Sequence, residues 1–523
     1  MPDRSEESRA HPIEEASTTE ALPVAPGMGA ALASVQAPHE TVAVGPRVVL
    51  ISGVAIVVAM AAAVIAVVLT RLIGLVTNLA YYGRYSTEFS APSIEHLGAW
   101  SALVPVAGAI VVGLMARYGS AATRGHGIPE VMERVLYGKS RIPPRVMFLK
   151  PLSAAIAIGT GGPFGAEGPI IATGGALGSI VGQVFHVTAD ERKTLLAAGA
   201  AAGMTATFGS PVSAVLLAVE LLLFEYRARS VIPVALASAA ATAVRIALVG
   251  SDPVFTLPVI SQPGGWALAF YALLGVVIGV AAVGITRIVY GIEDAFAKLP
   301  VHWMWWPALG AIVVGAVGLV EPRTLGVGYT NIDAILSGGV LGKALLVLVV
   351  LKFVSWSVYL GSGTSGGTLA PLFTIGGGLG ALLGAAAVAF VPGLGADPHV
   401  AALVGMAAIF AGASHALLAS VIFAFETTRQ PLGLLPLLAG CSAAYLTSHL
   451  LMRNSIMTEK LARRGLKVHA EYEADVLQQV TVAEVMDRAP VCLSATMKVS
   501  ELADAMMTRG HALAAHHGFV IVN

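Results

Sequence analysis

The chain has 523 residues, of which 56% are hydrophobic and only 12% charged, with a mean hydropathy of +0.79. An ordinary soluble domain is about 25% charged, so lipid rather than water is the solvent for most of this chain. The 31 basic residues balance 31 acidic ones without a basic stripe, which argues against nucleic acid as a partner, and two cysteines cannot make a disulfide scaffold.

Residues 1–46 are polar and acidic, with no basic start followed by an apolar stretch, and read as a disordered cytoplasmic tail rather than a signal peptide. Long apolar runs follow at 48–70, 97–115, 231–249, 266–285, 304–320, 344–360, 400–425 and 432–451, each near the roughly 20 residues a crossing needs. Between them lie Gly-rich segments at 156–184 and 364–391. The 58 Gly and 28 Pro suit a polytopic bundle, where small residues let helices approach and broken helices line a cavity. Arg453, Lys460, Arg463, Arg464 and Lys467 close the membrane region on a basic cluster, placing this end in the cytoplasm. Residues 466–475 read as a linker. Residues 476–523 turn soluble-like, with a strand expected at 491–493, a helix at 499–508 and a strand at 518–522. Cys441 and Cys492 are both expected as small buried hydrophobes.

The membrane region repeats itself. GTGGPFGAEGPIIATGGALGSIVG at 159–182 matches GTSGGTLAPLFTIGGGLGALLG at 363–384, with Pro169 falling 202 residues before Pro371. Gly203, Met204 and Phe208 match Gly405, Met406 and Phe410 at the same offset, whereas Glu220 and Glu426 match only with a four-residue insertion. Two halves, at about 47–250 and 262–465, follow from this, and Gly/Pro-interrupted segments at corresponding positions point to the binding site of a transporter or channel.

Three such segments carry the chemistry: Gly165-Ala166-Glu167-Gly168-Pro169, Gly367-Thr368-Leu369-Ala370-Pro371, and Gly125-His126-Gly127-Ile128-Pro129 followed by Glu130. Each is a loop entering a helix, where unpaired N–H groups and the helix dipole attract an anion without a full cation. Such a site admits an anion and still releases it. Glu167 is a carboxylate within an apolar segment, costly there and functional by default. It reads as a gate that competes with the anion for the same N–H groups and leaves when protonated. The plain alternative is a buried ion pair with Lys150. Glu220 and Glu426 end apolar runs and are equally candidates for helix-end partners or proton relays; Glu225, beside Arg227, reads as an interfacial ion pair, and His415 as a hydrogen-bonded core histidine. No spacing resembles a metal site.

These motifs resemble those of the CLC family of chloride channels and chloride/proton antiporters, over about 47–465, with a CBS unit begun at about 476. Gly165–Pro169 resembles G-[KR]-E-G-P with Ala166 replacing the base, Gly367–Pro371 resembles G-x-F-x-P with Leu369 replacing Phe, and Gly125–Pro129 resembles G-S-G-I-P with His126 replacing Ser. The resemblance implies an all-α polytopic fold of two inverted-topology repeats of broken, tilted helices, forming a homodimer with one pore per subunit in the plasma (inner) membrane, both termini cytoplasmic. It places Glu167 on the gating glutamate, the amides of Thr368 and Leu369 on a central chloride site, and those near Ala166 and Glu167 on an external one. The Ser and Tyr hydroxyls that hold the family's central anion fall on His126 and Met457. Met has no donor, so backbone amides carry more of this site, and a protonated His126 would strengthen it at low pH. The family's internal glutamate falls on Leu221, with Glu220 and Glu225 as substitute proton carriers. An acid-free position there leans the expectation to channel-like or weakly coupled conduction of chloride. Chloride/proton antiport, or transport of fluoride or nitrate, is the alternative. No cofactor is expected: half of a CBS pair makes no complete adenine-nucleotide site in one chain. No nucleophile or metal accompanies Glu167, so an enzyme is not expected.

Overall fold

The computed structural model describes residues 44–185, 187–466, 492–507 and 520–522. The expected N-terminal tail up to residue 43, the linker from 467 onward, Lys467 and most of the expected CBS unit lie outside the described residues. The chain divides into two units, residues 40–472 and a smaller one built from the two ends. In the smaller unit, β1 (Cys492–Ser494) pairs in parallel with β2 (Val520–Val522), and a helix spans Val499–Met507. Cys492, on a strand of three residues, is exposed and not buried as expected; Cys441 is buried.

Among its described residues the larger unit is built from helices joined by loops, and its helices come in two matching series. The first comprises α1 (Pro46–Tyr82), α2 (Leu103–Leu114), α3 (Ile128–Tyr137), α4 (Pro144–Gly159), α5 (Glu167–Val184), α6 (Ala189–Phe208), α7 (Pro211–Ala218) and α8 (Ala228–Leu248). The second comprises α9 (Gly265–Ala297), α10 (Trp306–Val320), α11 (Tyr329–Leu336), α12 (Gly342–Gly361), α13 (Leu369–Phe390), α14 (Pro398–Ser414), α15 (Leu417–Thr428) and α16 (Leu434–Leu451), after which α17 (Glu459–Arg463) ends the unit. Eight helical segments among the described residues are long and apolar enough to cross a membrane. Their outward faces stay apolar, as at Val57, Val64 and Val68 of α1, as surfaces covered by lipid do. The protein is an integral, multi-pass membrane protein.

Packing repeats with the series. Helix α5 lies on α6 as α13 lies on α14, and α1 on α8 as α9 on α16. The glycines explain how close these pairs come. A Cβ on Gly174 or Gly178 would lie 2.2 Å from Gly199 O or 2.0 Å from Leu195 O, and one on Gly376 or Gly380 would lie 2.4 Å from Gly405 O or 2.2 Å from Ala401 O. Small residues four apart thus let backbone meet backbone.

Two carboxylates fix the relation between the halves. Glu220, just past the end of α7, accepts Leu418 N at 2.9 Å and Ala419 N at 3.0 Å at the start of α15. Glu426, near the end of α15, accepts Val212 N at 3.0 Å and Ser213 N at 2.8 Å at the start of α7. Each negative group neutralises the positive end of the other's helix. Contact of each C-terminal end with the other's N-terminus makes α7 and α15 antiparallel, so the two halves have inverted topology.

The apolar run at 400–425 is not one crossing. It breaks at His415, whose φ of 60° ends α14, and resumes as α15. There His415 Nε2 meets Ser448 Oγ at 3.0 Å.

Replacing Glu426 with Ala leaves two helix-start donors without their acceptor. Glu426→Ala is expected to cost about 1–2 kcal/mol, and Glu426→Gln less. Thermal unfolding of the purified protein in detergent checks this; an unchanged midpoint would show that the cap contributes nothing.

Candidate functional site

The three loops singled out in the sequence meet at one place. Gly165 and Gly367 exchange backbone hydrogen bonds, 2.8 Å from Gly367 N to Gly165 O and 3.3 Å in return. Gly125 N donates to Thr364 O at 3.0 Å, just before the second of these loops. Gly168 faces His126 O so closely that a Cβ would lie 1.9 Å from it. Ala166, Gly168, Pro169, Ile128, Pro129, Leu369, Ala370 and Pro371 are all buried, and the starts of α3, α5 and α13 gather around one point.

Glu167 sits at that point. It is the first residue of α5, with 0% exposure. Its carboxylate folds back over its own helix start: a Cβ on Gly165 would lie 1.7 Å from Oε2, and one on Gly367 would lie 2.7 Å from it. The negative group therefore occupies the gap between the two halves, where the dipoles of α5 and α13 are most favourable to it. Oε1 accepts a hydrogen bond from Tyr329 Oη at 3.0 Å, whereas Oε2 has no hydrogen-bond partner among the described residues.

Lys150 is not the partner of Glu167. Its ammonium donates to Thr123 O at 2.8 Å and Gly125 O at 2.7 Å, pinning the loop before α3. Buried at 1% exposure, it satisfies carbonyls that the tight turn leaves unpaired. Gly127, with φ 96°, makes that turn possible. Glu130 completes the helix start by accepting Gly127 N at 2.8 Å, and pairs with Lys460 at 2.6 Å. Part of the terminal basic cluster is thus spent on acidic partners inside the protein.

His126 is buried, and its Nδ1 has no hydrogen-bond partner among the described residues. Thr368 is buried with its hydroxyl likewise unpartnered. Met457 is fully buried on the turn before α17, where Ile456 N donates to Ala413 O at 2.8 Å; among the described residues no hydrogen bond joins it to the three loops. Of the proton-pathway candidates, Glu220 has both oxygens engaged at the start of α15. Leu221 is buried on a π-helical turn spanning Val219–Leu223. Glu225 accepts Ser230 Oγ at 2.6 Å and lies 3.7 Å from Lys193 and 3.8 Å from Arg227, an ion pair away from the three loops.

Sequence reasoning missed Tyr329. Its loop, Gly326-Val327-Gly328, repeats the Gly-x-Gly of Gly125-His126-Gly127 at an offset of 201, one residue off the register of the other matches. The signal that finds it is Lys352, which lies 202 residues after Lys150 and grips its loop alike, through Thr324 O at 2.9 Å and Gly326 O at 3.1 Å.

Residues 107–449, well over half of the chain, match the family described as voltage gated chloride channel. The chain belongs to the CLC family. Among its relatives, an H(+)/Cl(-) exchange transporter ClcA of Vibrio vulnificus is 30% identical over 426 residues, covering 76% of this chain and 90% of that one. A putative chloride channel protein ClcB-like of Ralstonia nicotianae is 28% identical over 365 residues, 69% of this chain and 85% of that one. Among solved structures, a slow cyanobacterial Cl-/H+ antiporter superposes with a TM-score of 0.72 at 23% identity, over 80% of this chain and 98% of that one. A CLC-type fluoride/proton antiporter gives 0.64 at 20% identity, over 78% and 97%. Both likenesses are of fold.

Within this CLC site the two central glycines differ in what opposes a side chain. The atoms nearest a Cβ on Gly165 are those of the Glu167 side-chain carboxylate, whereas a Cβ on Gly367 also meets the backbone carbonyl of Gly165, at 2.5 Å. Gly165→Ala is expected to fold, displace the carboxylate and raise chloride flux toward that of Glu167→Ala. Gly367→Ala is expected to lower the yield of folded protein. Gel filtration and liposome flux of the two variants check this; a Gly165→Ala protein with unchanged flux would mean that the carboxylate does not obstruct the path.

Proposed function

We propose that this CLC protein moves chloride across the membrane through a pore in each subunit, with Glu167 as the gate. The observation that carries this reading is the buried Glu167 carboxylate lying between Gly165 and Gly367 at the starts of α5 and α13. An anionic side chain there occupies a place suited to a small anion, and the same helix dipoles attract either. Protonation removes the negative charge, weakens the hold of the helix starts on the side chain, and lets the anion take its place. Among the described residues no lysine or arginine donates to the carboxylate, so an entering anion meets helix starts and a hydroxyl rather than a salt-bridging cation.

Exchange of chloride for protons is the mode that the relatives favour, since those at 30–31% identity include several named H(+)/Cl(-) exchange transporters. Channel-like conduction is supported by Leu221, apolar where the family's internal glutamate falls, and by Glu220, whose oxygens already cap α15. Fluoride or nitrate as the carried anion is a further reading, supported by the substitutions at His126 and Met457. The reading includes a homodimer in the plasma membrane with both termini cytoplasmic, supported by family membership and by the basic flanks of the membrane region.

Purified protein in chloride-loaded liposomes tests this, with chloride efflux and proton movement recorded together. Proton uptake against its gradient, in fixed ratio to chloride, is the antiporter's result; efflux without it is the channel's. In either case Glu167→Ala is expected to keep chloride efflux, lose its dependence on pH and abolish any proton movement. A Glu167→Ala protein with wild-type pH dependence would end the gate assignment, and no flux of chloride in wild type would send the assay to fluoride and nitrate.

A further inference from the structure

The scaffold around Glu167 is symmetric, but its side chains are not. Both halves present a Gly-x-Gly loop gripped by a buried lysine, Lys150 in one and Lys352 in the other. In both, the loop opens a helix, α3 at Ile128 and α11 at Tyr329. Both also present a loop opening a longer helix, α5 at Glu167 and α13 at Leu369. Glu167 and Leu369 are 202 residues apart, Ile128 and Tyr329 201. The four helix starts therefore carry two pairs of equivalent first residues. Ile128 and Leu369 are apolar and fully buried. Glu167 and Tyr329 are polar and are joined across the halves by a 3.0 Å hydrogen bond.

We propose that Tyr329 is an anion ligand of this pore: its hydroxyl holds the Glu167 carboxylate when the gate is closed and donates the same hydrogen bond to chloride when the carboxylate leaves. This rests on the reading of Glu167 as the gate. A phenol O–H prefers an anionic acceptor, and such a bond is about twice as strong as a neutral one. Carboxylate and chloride both meet that preference, so the donor serves whichever occupies the gap. The donor also stays when the gate leaves. Its loop is fixed by Lys352, at 0% exposure, and Gly328 takes the left-handed φ of 80° that the turn requires. Its ring packs edge-on against Phe208, centroids 5.6 Å apart, and Phe208 in turn against Phe423 at 5.0 Å.

Chloride titration calorimetry on the purified full chain in detergent tests this, because Tyr329→Phe removes the hydroxyl and leaves the ring on Phe208. In the Glu167→Ala background, Tyr329→Phe is expected to weaken chloride binding about tenfold, the size of one lost hydrogen bond to a charged group. With Glu167 present the same substitution removes a bond from the competitor as well as from the anion, so the loss is expected to be several-fold smaller or reversed. That difference between backgrounds is what a purely structural role would not produce. Equal chloride affinity of Glu167→Ala and Glu167→Ala/Tyr329→Phe overturns the proposal, as does an equal loss in both backgrounds. Glu167→Ala that binds no chloride with Tyr329 intact overturns the gated anion site itself, and this proposal with it.

Discussion

Everything in the membrane unit depends on bringing helix N-termini together inside a medium that cannot solvate them. An unpaired N–H in lipid costs several kcal/mol, and several helix starts facing one another concentrate partial positive charge. The Glu167 carboxylate, set between Gly165 and Gly367, answers that concentration with one negative charge. The loops that deliver the helix starts answer the other half of the problem, their own unpaired carbonyls, with Lys150 and Lys352. Away from Glu167, Glu220 and Glu426 treat the starts of α15 and α7 in the same way. The rare charges inside this apolar unit are thus placed largely at the ends of helices, where backbone groups rather than opposite charges answer several of them.

The same charge type does opposite work in the two settings. Glu220 and Glu426 each accept two backbone N–H groups, one per oxygen, so nothing is gained by leaving. Glu167 has a hydrogen bond to one oxygen only. A buried carboxylate oxygen without a partner is expensive, so Glu167 is held less completely than the two caps.

How much of this was readable from the chain depends on where register survives. The three loops and Glu167 were legible because Gly and Pro must occupy fixed places at a broken helix start, and the 202-residue offset holds through them. Tyr329 was not, because its loop keeps only two glycines of the pattern and shifts by one residue. The exchange of caps was half legible: Glu220 and Glu426 stood out as ends of apolar runs, but which helix each serves is a contact across halves that no local pattern encodes. The alternative of a Glu167–Lys150 ion pair rests on charge alone, whereas the tight turn at Gly125–Gly127 offers Lys150 carbonyls instead. The break at His415 was hidden because apolar residues flank it on both sides and only its backbone angle marks it.

Inverted repeats give a pore its shape without giving it a direction or a chemistry. Two copies of one broken-helix unit, placed head to tail, bring four helix starts to the midline whatever their first residues are. Had the copies stayed identical, the starts would have carried either two carboxylates, repelling one another in the same gap, or none, leaving no movable charge. The chain instead keeps the loops, the lysine grips and the caps alike in both halves, where they only hold backbone in place, and lets the first residues diverge. Ile128 and Leu369 fill space; Glu167 and Tyr329, the other two first residues, hydrogen-bond to each other across the interface. Symmetry builds the site, and the departure from symmetry at these positions gives it its acid and its hydroxyl donor.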